Sequence, residues 1–190
     1  MTVGILALQG DFREHAQVLH TIGVPHLLVR RPQHLDHVDR LIIPGGESTT
    51  IGTLLVLDGL LEPIRARAQA GMPLWGTCAG AILLAERIAE GRPAGQSALA
   101  LMDVTARRNA FGSQLDSFEL ELAMPVLGAQ NVHAVFIRAP ILESLGQDVQ
   151  ALASMPDGKI VAAQQGKLLA SCFHPELTND DRLHRYFLDL

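Results

Sequence analysis

At 190 residues, with 48% hydrophobic and 18% charged residues, the sequence has the balance of one globular domain with a sizeable core, and not of a disordered chain. A net charge of −5 gives no attraction to nucleic acid or an anionic membrane surface, and every apolar stretch is broken well short of the ~20 residues that cross a bilayer. With no export signal in view, the two cysteines, Cys78 and Cys172, fit a reduced, cytoplasmic setting with thiols free for chemistry.

The chain opens on MTVGILALQGD. No basic segment precedes this run and no small-residue cleavage site follows it, so Thr2–Leu8 is read as a first strand and not as a signal peptide. Phe12–Thr21 has helical spacing at Phe12, Ala16, Leu19 and His20. Pro25–Arg30 and Leu41–Ile43 read as strands, Thr50–Ala70 as helix, Leu74–Gly76 as a strand and Ala79–Ala89 as a helix. The second half changes character. Val104–Arg107, Phe118–Leu122, Val132–Ile137, Gln150–Ala153, Ile160–Gln164 and Leu168–Phe173 read as strands with little helix between them. Pro156-Asp157-Gly158 is a strong turn, Gln165-Gly166-Lys167 a hairpin, and Asn179–Leu190 a short closing helix. The expectation is one domain over residues 1–190: a three-layer α/β fold, its mostly parallel central sheet flanked by helices, with additional antiparallel strands.

In such sheets ligands bind outside the carboxyl ends of the strands, and three motifs fall at strand ends. Gly76-Thr77-Cys78-Ala79-Gly80 has the form of a nucleophile elbow with cysteine as nucleophile. The flanking glycines make room for a strained turn, and a helix that starts beside the sulfur favours the reactive thiolate. The Ala79 N–H would be one oxyanion donor. The competing reading is a buried structural cysteine at a tight turn.

Phe173-His174-Pro175-Glu176 closes the last apolar run. In an extended segment His174 and Glu176 share a face, roughly 6.6 Å apart at Cα, so the carboxylate can take the imidazole N–H and fix its tautomer. Alone, the pair is equally a strand-end histidine beside a solvated glutamate. Leu41–Thr50 (LIIPGGESTT) places Pro-Gly-Gly after a strand, giving a loop whose N–H groups, with Gly46 among them, can supply a second oxyanion donor. Ser48 or Thr49 would cap the next helix, and an ordinary turn plus cap is the alternative. Three such motifs at strand ends favour chemistry over coincidence. His15, His20, His26, His34, His37, His133 and His184 show no metal-ligand spacing, and Cys172 is read as core packing.

With Cys78, His174 and Glu176 set out, the sequence resembles the triad (class I) glutamine amidotransferases, whose fold is flavodoxin-like. Within them it is most similar to the glutaminase subunits of pyridoxal 5′-phosphate synthase. GILALQGD (4–11), Arg13-Glu14-His15, Arg31-Pro32, PGGESTT (44–50), GTCAG (76–80), Arg108-Asn109, Phe111-Gly112, Asp116-Ser117-Phe118, FIRAP (136–140) and FHPELT (173–178) carry the resemblance over nearly the whole chain. It implies that Cys78 attacks the side-chain amide of L-glutamine while His174, oriented by Glu176, relays protons. It also implies that Gly46, Glu47, Ser48, Arg108 and the Ile137-Arg138 pair line the glutamine site, with no cofactor and no metal. Glutamine carries an ammonium and a carboxylate, which suits an acid such as Glu47 and a base such as Arg108. For Arg108 the alternative is a surface arginine beside Arg107; for Arg138 it is a strand-end salt bridge. The implied partner is a barrel-shaped synthase subunit assembled into rings, which takes up the ammonia through a tunnel.

Three rival readings fit the sequence less well. The peptidase, glyoxalase and stress-protein branch shares a cysteine elbow but places histidine directly after the cysteine, where this chain has Ala79. A non-catalytic docking module would lack a triad member, and all three are present. Glutaminase subunits serving other synthases differ around PGGEST and HPELT.

Overall fold

The computed structural model describes residues 1–91, 97–111 and 117–190. Gly112, Asp116 and most of the Gly91–Gln96 segment therefore lie outside the described residues. The first half alternates strand and helix: β1 (Val3–Leu6), α1 (Phe12–Thr21), β2 (His26–Val29), β3 (Arg40–Ile43), α2 (Ser48–Leu57), α3 (Leu61–Gln69), β4 (Leu74–Thr77) and α4 (Ala79–Leu84). The rest is mainly strand: β5 (Ala85–Ile88), β6 (Met102–Arg107), β7 (Ser117–Leu122), β8 (Val132–Ile137), β9 (Ile141–Glu143), β10 (Gln150–Ser154), β11 (Ile160–Gln165) and β12 (Leu168–Ser171). The last element, α5, covers Arg182–Leu188.

One sheet runs in the order β2-β1-β3-β4-β12-β11-β9-β6-β5, with β10 added to β11. Its left half, β2 to β12, is parallel throughout; β11, β9 and β10 supply the antiparallel pairings. The strands β1, β3, β4 and β12 lie side by side with their carboxyl ends together, so the segments that follow them meet at one edge. Alternation along β4 sets what each face sees. Trp75 packs edge-on against His15 of α1 and His184 of α5, while Gly76 faces the start of α4. The buried core joins Val3, Ile5, Leu41, Ile43, Leu74, Trp75, Leu83 and Phe187 in one cluster.

A separate hairpin, β7 with β8, registers Ser117 against Ile137 and Leu122 against Val132. Phe118 stacks on Phe136 at 4.6 Å, and Phe136 meets Phe173 at 5.7 Å, which anchors the hairpin beside the end of β12.

The structure departs from the sequence reading at four places. The Thr50–Ala70 helix is two helices, because Gly59 takes φ +66 and the Leu60 N–H closes on the Leu55 carbonyl at 2.8 Å, ending α2. The Ala79–Ala89 helix stops at Leu84, and residues 85–88 form β5. The Leu83 carbonyl accepts from the Leu99 and Ala100 N–H groups and the Leu84 carbonyl from Leu101, so the returning chain takes the acceptors a longer helix would need. The strand ending in Phe173 stops at Ser171, and the short β9 was not foreseen. Among the described residues no helix is long and apolar enough to cross a membrane.

Candidate active site

Cys78 joins β4 to α4 at φ +47 and ψ −103, a backbone state that side chains rarely adopt. Its neighbours show what the turn demands. A Cβ on Gly76 would lie 2.4 Å from the Gly80 carbonyl, and one on Gly80 would lie 2.1 Å from the Ile43 carbonyl. Both glycines are therefore required by close backbone approach. The Cys78 N–H is tied to the Ser171 carbonyl at 2.8 Å, which fixes the elbow to β12. Cys78 is 7% exposed, and its thiol points toward the Ile137 carbonyl at 3.8 Å. As the first residue of α4, Ala79 has an N–H without an acceptor inside the helix, which leaves it available to a developing oxyanion.

His174 is held from the hairpin side: its N–H donates to the Val135 carbonyl at 2.8 Å. Its Nδ1 lies 2.8 Å from Oε1 of Glu176. The expected pairing is present, but it is not made along an extended strand. Pro175 opens a single 3₁₀ turn, Pro175–Leu177, closed by Leu177 N–H on the His174 carbonyl and Thr178 N–H on the Pro175 carbonyl, each at 3.3 Å. Proline cannot extend a ladder, and its fixed φ suits the start of such a turn. Burial alone would pull the His174 imidazole down, but its interactions with Cys78 and Glu176 outweigh that and push it up to about 10. Burial pushes the Glu176 carboxyl up, against the hydrogen bond from His174.

The loop after β3 forms the opposite wall. A Cβ on Gly45 would come 2.5 Å from Cε1 of His174, so glycine there lets the imidazole reach its place. The Glu47 N–H donates to Oε1 of Gln9 at 2.8 Å, tying this loop to the one after β1. Glu47 itself occupies the cap position of α2 without a side-chain cap bond, and Ser48 is already in the first turn. The capping role expected of Ser48 or Thr49 is therefore not taken; the Thr49 hydroxyl donates to Glu47 Oε1 at 3.0 Å instead.

A cavity of about 480 Å³ opens over Cys78. Gly46, Glu47, Ser48, Cys78, Ala79, Arg108, Ile137, Arg138 and His174 all line it; Glu176 sits behind His174. Arg108 lies 3.7 Å from Glu47, so the two opposite charges share one wall. It is not a copy of its neighbour: Arg107 is spent in a two-bonded pair with Glu143 at 2.8 and 3.0 Å. No ion pair involves Arg138 among the described residues. Its φ of +45 is a strained backbone at the mouth.

Sequence reasoning missed several groups here. Gln9 and Asp11 line the cavity, and Asp11 Oδ2 is 3.5 Å from His174 Nδ1. Their signal was available, since Gln9-Gly10-Asp11 follows β1 at the same strand edge as the other motifs. His15 and His184, read as ordinary, are fully buried and lie behind Glu176. Asp11, His174 and Glu176 bring ligand-type atoms within 4.8 Å of one another. A cation there would compete for the Nδ1 that bonds Glu176, which disfavours a metal at this spot. Cys172 is fully buried in the core, where burial pushes its thiol well above the ordinary value.

Known proteins resemble the whole chain. The Pyridoxal 5′-phosphate synthase subunit PdxT of Roseiflexus castenholzii is 66% identical over 190 residues, covering 100% of both chains. The protein of the same name from Herpetosiphon aurantiacus is 65% identical, again over 100% of both. A crystal structure of a glutamine amidotransferase superposes with a TM-score of 0.92 at 50% identity, covering 98% of this chain and 97% of that one. The profile of the SNO glutamine amidotransferase family matches residues 5–190. An elbow cysteine, a histidine–glutamate pair and a match of that length lead to one conclusion: the chain belongs to the SNO glutamine amidotransferase family.

Proposed function

We propose that this chain is the glutaminase subunit of a pyridoxal 5′-phosphate synthase. It hydrolyses L-glutamine to L-glutamate and ammonia and passes the ammonia to a synthase subunit. The observation that carries the chemistry is the convergence of Cys78 and His174 on one cavity with Glu176 bonded behind the imidazole at 2.8 Å.

Glutamine enters with its ammonium toward Glu47 and its carboxylate toward Arg108, and Arg138 completes the basic side of the mouth. The Cys78 sulfur bonds to the amide carbon, and the thiol proton resides on His174. The Ala79 N–H and the Gly46 segment receive the charge that develops on the amide oxygen. His174 then gives its proton to the amide nitrogen, the C–N bond breaks, and ammonia leaves a glutamyl thioester on Cys78. Water next attacks the thioester carbon, giving its proton to His174. The C–S bond breaks and glutamate departs. Glu176 stays ionised and holds the imidazole in orientation, as the acid of a Ser-His-Asp triad does. No cofactor enters these steps.

The relatives' shared name supports the pathway, because it describes them as subunits of pyridoxal 5′-phosphate synthase. The proposed partner is a barrel-shaped synthase subunit in ring assemblies. Ile137, large, apolar and exposed where it lines the cavity, suits a docked surface that keeps the ammonia out of water. Two free thiols fit a cytoplasmic setting. The direct test is Cys78→Ala, which should abolish glutamate release with unchanged circular dichroism. Retained activity in that variant would overturn the mechanism.

A further inference from the structure

Behind the triad lies a second buried array that the steps above do not use. His15 on α1 and His184 on α5 are both fully buried, as is Thr77 directly before Cys78. Nδ1 of His15 lies 3.0 Å from Nε2 of His184. Nε2 of His15 lies 3.2 Å from the Thr77 hydroxyl and 3.5 Å from Oε2 of Glu176. Trp75 fixes both rings edge-on, with centroids 5.5 Å from His15 and 4.8 Å from His184. Within this array two buried side-chain atoms have no partner at ordinary hydrogen-bond distance among the described residues: Oε2 of Glu176 and Nδ1 of His184.

These contacts decide the tautomers. Burial and the neighbouring imidazoles keep His15 neutral, and burial keeps His184 neutral, so each ring carries one N–H. If His15 carried its proton on Nδ1, its Nε2 lone pair would face the Glu176 carboxylate, and His184 would bury an N–H with no acceptor. If His184 carries its proton on Nε2 and donates to His15 Nδ1, then His15 presents Nε2–H to Thr77 and Glu176. The only orphan left is an acceptor on His184, which is the cheaper fault. An ionised carboxylate oxygen without a donor is the dearer one.

We infer that His15 is a positioning residue: its Nε2–H holds the second oxygen of Glu176, and His184 sets its tautomer, so that Glu176 stays ionised and aimed at His174. The groups that face this carboxylate are His174, Asp11 and His15; His184 and Thr77 face His15, and Asp181 acts on His184. The inference rests on the glutaminase reading for its kinetic consequence, though not for the contact itself.

Imidazole nitrogen NMR on the wild-type chain tests the contact without any assay of activity. The expected spectrum has His15 and His184 both protonated at Nε2; protonation of His15 at Nδ1 would overturn the inference. In the complex with the synthase partner, His15→Leu should lower kcat for glutamine roughly 10- to 100-fold with KM little changed. The acid limb of its rate profile should move up by roughly one pH unit, because Glu176 loses a donor. His15→Gln, which keeps an N–H near the Nε2 position, should recover most of the rate and the original profile. Equal losses in both variants with an unmoved profile would assign His15 a packing role and reject the proposal. A wild-type complex that releases no glutamate rejects the glutaminase reading instead, while the spectrum still decides the contact.

Discussion

Nδ1 of His174 and Oε1 of Glu176 are 2.8 Å apart, and both side chains are buried. In that setting the carboxylate has two effects on the imidazole: it sets the ring's orientation and it favours the protonated form. Glu176→Gln keeps the volume and removes the charge. It should lower kcat by about 10²–10⁴ while glutamine binding persists, on the pattern of triads that lose their acid. Steady-state kinetics in the presence of the synthase partner decides it, and an unchanged kcat would place the orienting acid elsewhere, with Asp11 the nearest candidate.

Arg108 lies 3.7 Å from Glu47 on the wall of the cavity, as a partner for the substrate carboxylate and not for the sulfur. Arg108→Ala should therefore raise KM for glutamine about tenfold or more, with a smaller change in kcat, because it removes a contact made equally in ground and transition states. The reverse pattern would move Arg108 into the chemistry or the docking surface.

Gly80 sits with its Cα against the Ile43 carbonyl, where a Cβ would approach to 2.1 Å. Backbone cannot yield as a side-chain tip can. Gly80→Ala should cost about 2–3 kcal/mol in urea unfolding and displace the elbow, lowering activity even in the folded fraction. A variant as stable and active as the wild type would mean that β3 and α4 separate more easily than their packing indicates.

Burial holds His184 down to about 4, below the ordinary value near 6.5. The unfolded chain binds that proton more readily, so stability from this group is present above pH 6.5 and is lost as pH falls toward 4. Between pH 7 and 5 the loss is about 2 kcal/mol. His184→Gln removes this titration. Urea midpoints at the two pH values should therefore fall less in the variant, and identical slopes would show that His184 is not held neutral.

The parts of the site that were legible in the sequence are those built from local chemistry. Gly76 and Gly80 flank Cys78 because backbone passes close to both, and that demand is written as glycine. His174 and Glu176 are two residues apart, so any turn or strand keeps them within reach, and the actual 3₁₀ turn gives the same pair as the expected extended segment. Local spacing did not foretell where helices end. The stretch after Leu84 keeps a helical pattern, yet it becomes β5 because the returning chain takes the carbonyls of α4. Nor did it reveal His15 with His184, two residues 169 positions apart that only the packing of α1 and α5 against Trp75 brings together. A lone histidine on a helix carries no mark of such a partner.

As proposed, Cys78, His174 and Glu176 release ammonia from glutamine for a synthase subunit. Glutamate formation from L-glutamine by the purified chain, with and without the pyridoxal 5′-phosphate synthase partner of the same organism, tests it most directly. Release should rise strongly with the partner and disappear in Cys78→Ala. Release that ignores the partner would contradict the pathway, and no release in either case would contradict the glutaminase itself.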